Sequence, residues 1–172
     1  MQKLKSKKRI AVFAGSFDPF TIGHLDIVKR ASQMFNTLYV VDSKNANKKS
    51  FFSPEERSAF ISRSLGRLAN VIVAVHDGLT IDFMESVGAC YLVRGVRTSA
   101  DLEMELSIYS NNRILGSEVE TVLFPCKQEY LHISSSVVRE ILLCSHGNSD
   151  VLCKYLPSPI VKSVAKSFLE KR

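Results

Sequence analysis

No Cys-x-x-Cys pair occurs in these 172 residues, and the four cysteines, Cys90, Cys126, Cys144 and Cys153, lie scattered. Neither a zinc cage nor a dithiol redox site is expected, so no side chain is assigned to a metal. Reduced thiols suit a cytoplasmic protein. No apolar run approaches the ~20 residues that a membrane helix needs, which argues against a membrane partner. The start, MQKLKSKKR, is followed by only a short apolar run ending in Gly-Ser-Phe-Asp-Pro, and the pattern of a secretory signal is missing. Repeats, low-complexity segments and linkers are missing as well. The expectation is a basic tail, residues 1–8, ahead of a single domain, residues 9–172.

Charge of one sign is scarce outside that tail. The formal charge is +6, and Lys3, Lys5, Lys7, Lys8 and Arg9 supply most of it. The tail reads either as a solvated extension or as a binding arm; the near-neutral body gives no reason to expect a nucleic-acid partner.

Short apolar runs rich in β-branched and aromatic residues fall at Ile10 to Ala14, Leu38 to Val41, Val71 to Val75, Tyr91 to Val93 and Thr121 to Phe124. Helical spacing falls between them. Leu25, Val28, Ala31 and Phe35 share a face from His24 to Phe35, and Ser53-Pro54-Glu55-Glu56 carries an N-cap serine, a proline at the first helical position and a returning glutamate. Further helices are expected over Ile81 to Val87, from Thr98-x-x-Asp101 to about Leu115, over Ser135 to Cys144, and from Pro159 onward. The alternation predicts an α/β, Rossmann-like, doubly wound sheet of about five parallel strands with helices on both faces.

Such a sheet binds ligands beyond the carboxyl ends of its strands. Ala14-Gly15-Ser16-Phe17-Asp18-Pro19-Phe20-Thr21-Ile22-Gly23-His24 occupies that place after the first strand. A helix N-terminus offers free N–H groups and a partial positive charge, Gly23 permits close approach, and Ser16 and His24 can reach an anion from two sides. The plainer reading is a histidine that caps its helix. Asp18-Pro19 reads as structural, with the aspartate bonding nearby backbone N–H groups. Arg94 and Arg97 bracket Gly95 just after the fourth strand and suit phosphate, or else local carboxylates. Lys48 lies in a polar loop after the second strand, where most lysines are simply solvated. Ser134-Ser135-Ser136 opens a helix, so one serine caps it while the others offer a second anion site.

Gly15 to His24 resembles the signature of the nucleotidyltransferases, and threonine at 21 makes it similar to the bacterial phosphopantetheine adenylyltransferase family in particular. Lys48-Lys49 ahead of Phe52-Ser53-Pro54-Glu55-Glu56-Arg57, Gly78-Leu79-Thr80-Ile81-Asp82-Phe83, Arg94-Gly95-Val96-Arg97 with Asp101, Glu103 and Glu105, and Ile133-Ser134-Ser135-Ser136-Val137-Val138-Arg139-Glu140 resemble its other motifs. The resemblance covers nearly the whole chain after the tail. Departures are Ile22, where asparagine is usual, and Met104, where an aromatic is frequent.

The resemblance implies transfer of the adenylyl group of ATP to 4'-phosphopantetheine, with Mg²⁺ as cofactor and assembly as a homohexamer, a dimer of trimers. It makes His24, Lys48 and Arg97 catalytic, and assigns Ser16, Lys48, Thr80 and Arg94 to the acceptor. To ATP it gives Ser16, Phe17, His24, Gly95, Val96, Arg97, Glu105, Tyr130, Leu131, His132, Ile133, Ser134, Ser135 and Ser136. The alternatives are a related adenylyl- or cytidylyltransferase with another phosphate acceptor, and a nucleotide-binding protein without catalysis.

Overall fold

The computed structural model describes residues 8–43, 50–66, 68–115 and 118–171. Strands β1 (Ile10–Gly15), β2 (Thr37–Ser43), β3 (Val71–His76), β4 (Tyr91–Val96) and β5 (Glu120–Pro125) form one parallel sheet in the order β3-β2-β1-β4-β5. Helices α1 (Ile22–Ser32), α2 (Pro54–Leu65), α3 (Thr80–Ser86), α4 (Ser99–Ile114), α5 (Ser135–Cys144), α6 (Ser149–Leu152) and α7 (Val161–Leu169) connect or follow the strands.

The period-2 alternation of β1 divides the interior. Ala11 and Phe13 face one core together with Val28, Ala31, Leu142 and Phe168, while Val12 and Ala14 face another with Met84, Ala89 and Leu92. Both faces of the central strand are therefore buried, which explains its unbroken apolar run. Helix α2 starts as its sequence dictates: Ser53 Oγ accepts from Glu56 N at 3.3 Å, and Glu56 Oε2 accepts from Ser53 N at 2.6 Å.

Four local expectations are corrected. Helix α1 begins at Ile22 because Thr21 caps it, and it ends at Ser32, where the periodicity alone runs on from His24 to Phe35. Strand β4 continues to Val96, since Arg94, Gly95 and Val96 pair with Leu123, Phe124 and Pro125; Arg94 is thus in the strand and not after it. The short α6, capped by Asn148, has too few residues to register as a helical period. Asp18 bonds to main-chain N–H groups far along the chain, those of Phe51 and Phe52, because the β1 loop packs against the start of the segment leading to α2.

Candidate active site

The strand order reverses between β1 and β4, and the chain leaves both strands on the same rim. A cavity of about 710 Å³ opens there. Its wall is built from the loop after β1, the first turn of α1, the end of β4, one side of α4 and the start of α5.

The β1 loop is held under strain. Phe17 has φ of 40°, in the left-handed region that a bulky side chain rarely adopts, at a cost of roughly 1–3 kcal/mol. Burial of its ring offsets that cost: it meets Phe13, Phe20 and His24 at centroid distances of 5.2, 5.5 and 5.1 Å. Helix α1 has no acidic residue in its first turn, so no carboxylate of its own opposes the partial positive charge it presents to the cavity. A Cβ on Gly23 would make only ordinary contacts, 3.7 Å to Thr21 Oγ1 and 3.8 Å to Tyr130. Packing within the chain does not demand glycine there, and the space is open to a ligand. Gly95 is different, because a Cβ would lie 2.3 Å from Ile27 Cδ1, so this glycine lets α1 approach the sheet.

His24 lines the cavity on this aromatic bed. Burial, then the positive charges of Arg97 and Arg94, push its pKa down to about 4, and the ring is neutral at pH 7. Its Nδ1 lies 3.0 Å from Thr21 N and 3.1 Å from Thr21 Oγ1.

Both arginines are oriented by carboxylates. Arg94 donates from Nε and Nη2 to the two oxygens of Glu105, each at 2.7 Å, and from Nη1 to the carbonyl of Ala14 at 2.7 Å. Arg97 donates to Asp101 at 3.0 and 3.3 Å and to the carbonyl of Ile133 at 3.4 Å. Burial works against ionisation of Asp101, but hydrogen bonds from the side chain and main chain of Arg97 outweigh it and hold the carboxyl below its ordinary pKa. A guanidinium has five N–H donors, so each arginine keeps donors to spare for a phosphate.

Opposite them stands α5. Ser134 is its cap, accepting from Val137 N at 3.2 Å; Ser135 donates to the carbonyl of Pro19 at 2.9 Å; Ser136 accepts from Arg139 Nη2 at 3.1 Å. Arg139 also donates to the carbonyl of Asp18 and lies 3.6 Å from its carboxylate.

The cavity brings together Ser16, Phe17, His24, Arg94, Gly95, Arg97, Glu105, Ile133, Ser134, Ser135 and Ser136. Glu105 spends both oxygens on Arg94. Val96, Tyr130, Leu131 and His132 are not among the residues that line it; Leu131 and His132 are exposed, with His132 against Tyr155 at 6.1 Å. Thr80 lines a second cavity of about 200 Å³ with Leu79, Ile81, Leu92, Ile108 and Leu115, and Arg94 borders both cavities. Lys48 lies outside the described residues. Sequence reasoning did not pick out Thr21, Asp18 and Arg139 as lining the cavity. The available signals were the aspartate of Asp18-Pro19, the threonine three residues before His24 and the arginine three residues after the triple serine.

A parallel sheet in the order 3-2-1-4-5 with two arginines at its switch point is an α/β frame of the doubly wound kind, and the cytidylyltransferase-like family matches residues 12–141. That is the nucleotidyltransferase class. The phosphopantetheine adenylyltransferase of Rhodopirellula baltica is 44% identical over 155 residues, covering 90% of this chain and 86% of that protein. Its counterpart in Levilactobacillus brevis is 48% identical over 132 residues, 77% of this chain and 82% of that protein. The chain belongs to the phosphopantetheine adenylyltransferase family. A solved nicotinic acid mononucleotide adenylyltransferase of Plasmodium falciparum matches 96% of both chains with a TM-score of 0.64 at 17% identity, a likeness of fold.

Proposed function

We propose that the chain transfers the adenylyl group of ATP to 4'-phosphopantetheine, giving dephospho-coenzyme A and pyrophosphate. The observation that carries the choice of acceptor is the place of Arg94 between two cavities. One side is lined by His24, Arg97 and the α5 serines, the other by Leu79, Ile81, Leu92, Ile108 and Leu115, with Thr80 and Asn112 as polar contacts. An acceptor with a phosphate at one end and a slender arm of methyl, methylene and amide groups fits that pair.

A phosphate oxygen of the acceptor attacks the α-phosphorus of ATP in line, a new P–O bond forms, and the bond to the β-phosphate breaks as pyrophosphate leaves. No covalent intermediate is needed, so the chain contributes positioning and charge stabilisation. His24 donates its N–H to the α-phosphate as charge builds. Ser16, Arg94 and Lys48 orient the acceptor phosphate, while Arg97 and the α5 serines hold the leaving pyrophosphate. Arg139, beside Ser136, adds a cation at the same end.

Among the described residues no group of three or more His, Cys, Asp or Glu side chains could hold a metal ion. Mg²⁺ would be carried by the phosphate oxygens of ATP and would offset the charge of the departing pyrophosphate. Residues 9–172 act as one catalytic domain, in the cytoplasm, with no membrane or nucleic-acid partner. No helix among the described residues is long and apolar enough to cross a membrane. A homohexamer is supported by apolar side chains left exposed at Leu102, Leu106 and Ile114 on α4 and at Ile72 and Val75 on the edge strand β3.

The test is direct. Purified protein with ATP, Mg²⁺ and 4'-phosphopantetheine should yield dephospho-coenzyme A by mass and release pyrophosphate, and nicotinamide mononucleotide in its place should yield none. Turnover of the mononucleotide alone would refute the acceptor.

A further inference from the structure

Thr21 does more than start α1. Two polar groups of this one residue converge on one atom: its main-chain N–H, which can only donate, lies 3.0 Å from His24 Nδ1, so the hydroxyl 3.1 Å from the same nitrogen must be a donor to it as well. The hydroxyl oxygen also accepts the main-chain N–H of His24 at 3.4 Å, which uses a lone pair and leaves the hydroxyl proton free to turn toward the ring. An ordinary capping box places Glu or Gln at the third helical position to reach back to the cap; here a histidine stands there. A ring nitrogen that accepts from two donors carries no proton. A neutral imidazole has a single N–H, so that proton sits on Nε2, the nitrogen turned away from Thr21. The rings of Phe17 and Phe20, at 5.1 and 5.5 Å, leave the imidazole little room to turn over.

We propose that Thr21 is a positioning residue that fixes His24 as the Nε2–H tautomer, so that the capping pattern at the start of α1 also sets which nitrogen can donate to the reacting phosphate. The benefit for catalysis rests on the adenylyl-transfer reading above; the tautomer does not. With Nδ1 protonated, the cavity side of the ring would offer a lone pair to an anionic oxygen and repel it.

Three variants separate tautomer control from capping. Thr21→Ser keeps the cap and the hydroxyl proton. Thr21→Val loses both functions of the hydroxyl and retains only the main-chain donor. Thr21→Asp caps a helix at least as well as threonine, but its carboxylate has no proton to give and draws one onto Nδ1. In ¹⁵N NMR of the ligand-free, histidine-labelled protein, with His24 assigned from a His24→Gln variant, Nε2 should be the protonated nitrogen and Nδ1 the bare one. Turnover should stay within about twofold in Thr21→Ser and fall about tenfold in Thr21→Val, ~1.4 kcal/mol of barrier, at nearly unchanged KM for ATP. Thr21 is buried, so Thr21→Asp should lower the melting temperature as well, but it should move the proton to Nδ1 and lose more turnover than Thr21→Val. A wild-type spectrum with the proton on Nδ1, or a Thr21→Val enzyme as fast as wild type, would overturn the proposal. If the acceptor proves to be another molecule, the spectrum still decides the tautomer, so the two readings fail separately.

Discussion

Asp18 and Phe52 meet across 34 positions of chain: one carboxylate oxygen of Asp18 accepts the main-chain N–H of Phe52 at 2.9 Å, and the other accepts that of Phe51 at 2.8 Å. Lys171, just beyond the end of α7, donates to the carbonyl of Phe51 at 3.0 Å, so the approach to α2 is fixed on both sides. The β1 loop that carries Ser16 and Phe17 is therefore tied to the start of α2 by a buried, charged acceptor.

Replacing Asp18 with alanine leaves two N–H groups without a partner and Arg139 without its carboxylate. A loss of about 2–4 kcal/mol of unfolding free energy is expected by urea titration. Asp18→Asn, which keeps one acceptor, should lose less.

Arg57 is almost fully buried and donates from Nε to Asp42 at 3.0 Å and from Nη1 to Ser50 at 2.6 Å. Arg57→Met strands the Asp42 charge and should cost about 3–5 kcal/mol. Adding Asp42→Leu should recover most of that in the same denaturation experiment, because the penalty belongs to the stranded carboxylate and not to the lost pair.

Glu105 is buried and grips Arg94 with both oxygens. Glu105→Ala should raise KM for the phosphopantetheine acceptor about 10–100-fold while KM for ATP changes little, since a charge-assisted hydrogen bond contributes roughly 1.5–3 kcal/mol. Steady-state kinetics in each substrate separate the two. A rise in KM for ATP alone would place Glu105 on the nucleotide side.

The neutral ring of His24 has a signature in acid. Its folded pKa is about 4 against an ordinary 6.5, so between those values the unfolded chain binds a proton that the folded chain refuses. This contribution to stability is complete above about pH 6.5 and is lost as pH falls toward 4, by at most about 3 kcal/mol for a ring that is partly accessible. Below that, Asp26 and Glu56 add to the decline. Burial opposes their ionisation, but hydrogen bonds from Lys127 and Arg30, and from Lys171 and Ser167, hold them below their ordinary values. His24→Gln should flatten the curve between pH 6.5 and 4. His24→Ala should lower turnover by roughly 10²–10³ with a far smaller change in ATP affinity, as expected of a donor that acts mainly in the transition state.

Assembly can be read from mass. Light scattering should give several times the 19.2 kDa of one chain. Charged replacements at Leu102, Leu106 and Ile114 on α4 should lower that mass and leave the fold intact by circular dichroism, since those side chains are exposed in the single chain.

Local sequence was enough for the elements and for much of the cavity wall. The apolar runs gave five strands; Ser53-Pro54-Glu55-Glu56 gave the start of α2; Gly23-His24 and the triple serine marked two helix N-termini facing one rim. These signals repeat every 2 or 3.6 residues, or sit within one turn of a helix, and a chain carries them wherever it folds. The end of β4, by contrast, depends on pairing with β5, so Arg94 was legible as a cation but not as a strand residue.

What the sequence by itself determined is therefore the alternation of elements, the caps, and the supply of phosphate-directed side chains. Tertiary structure alone decided who partners whom: Asp18 with Phe52, Glu105 with Arg94, Arg139 with Ser136 beside Asp18, and Arg94 as the border of two cavities. The reason is physical. A carboxylate can satisfy any N–H donor within reach, and which donors come within reach is settled only when the sheet order brings distant segments to a common rim.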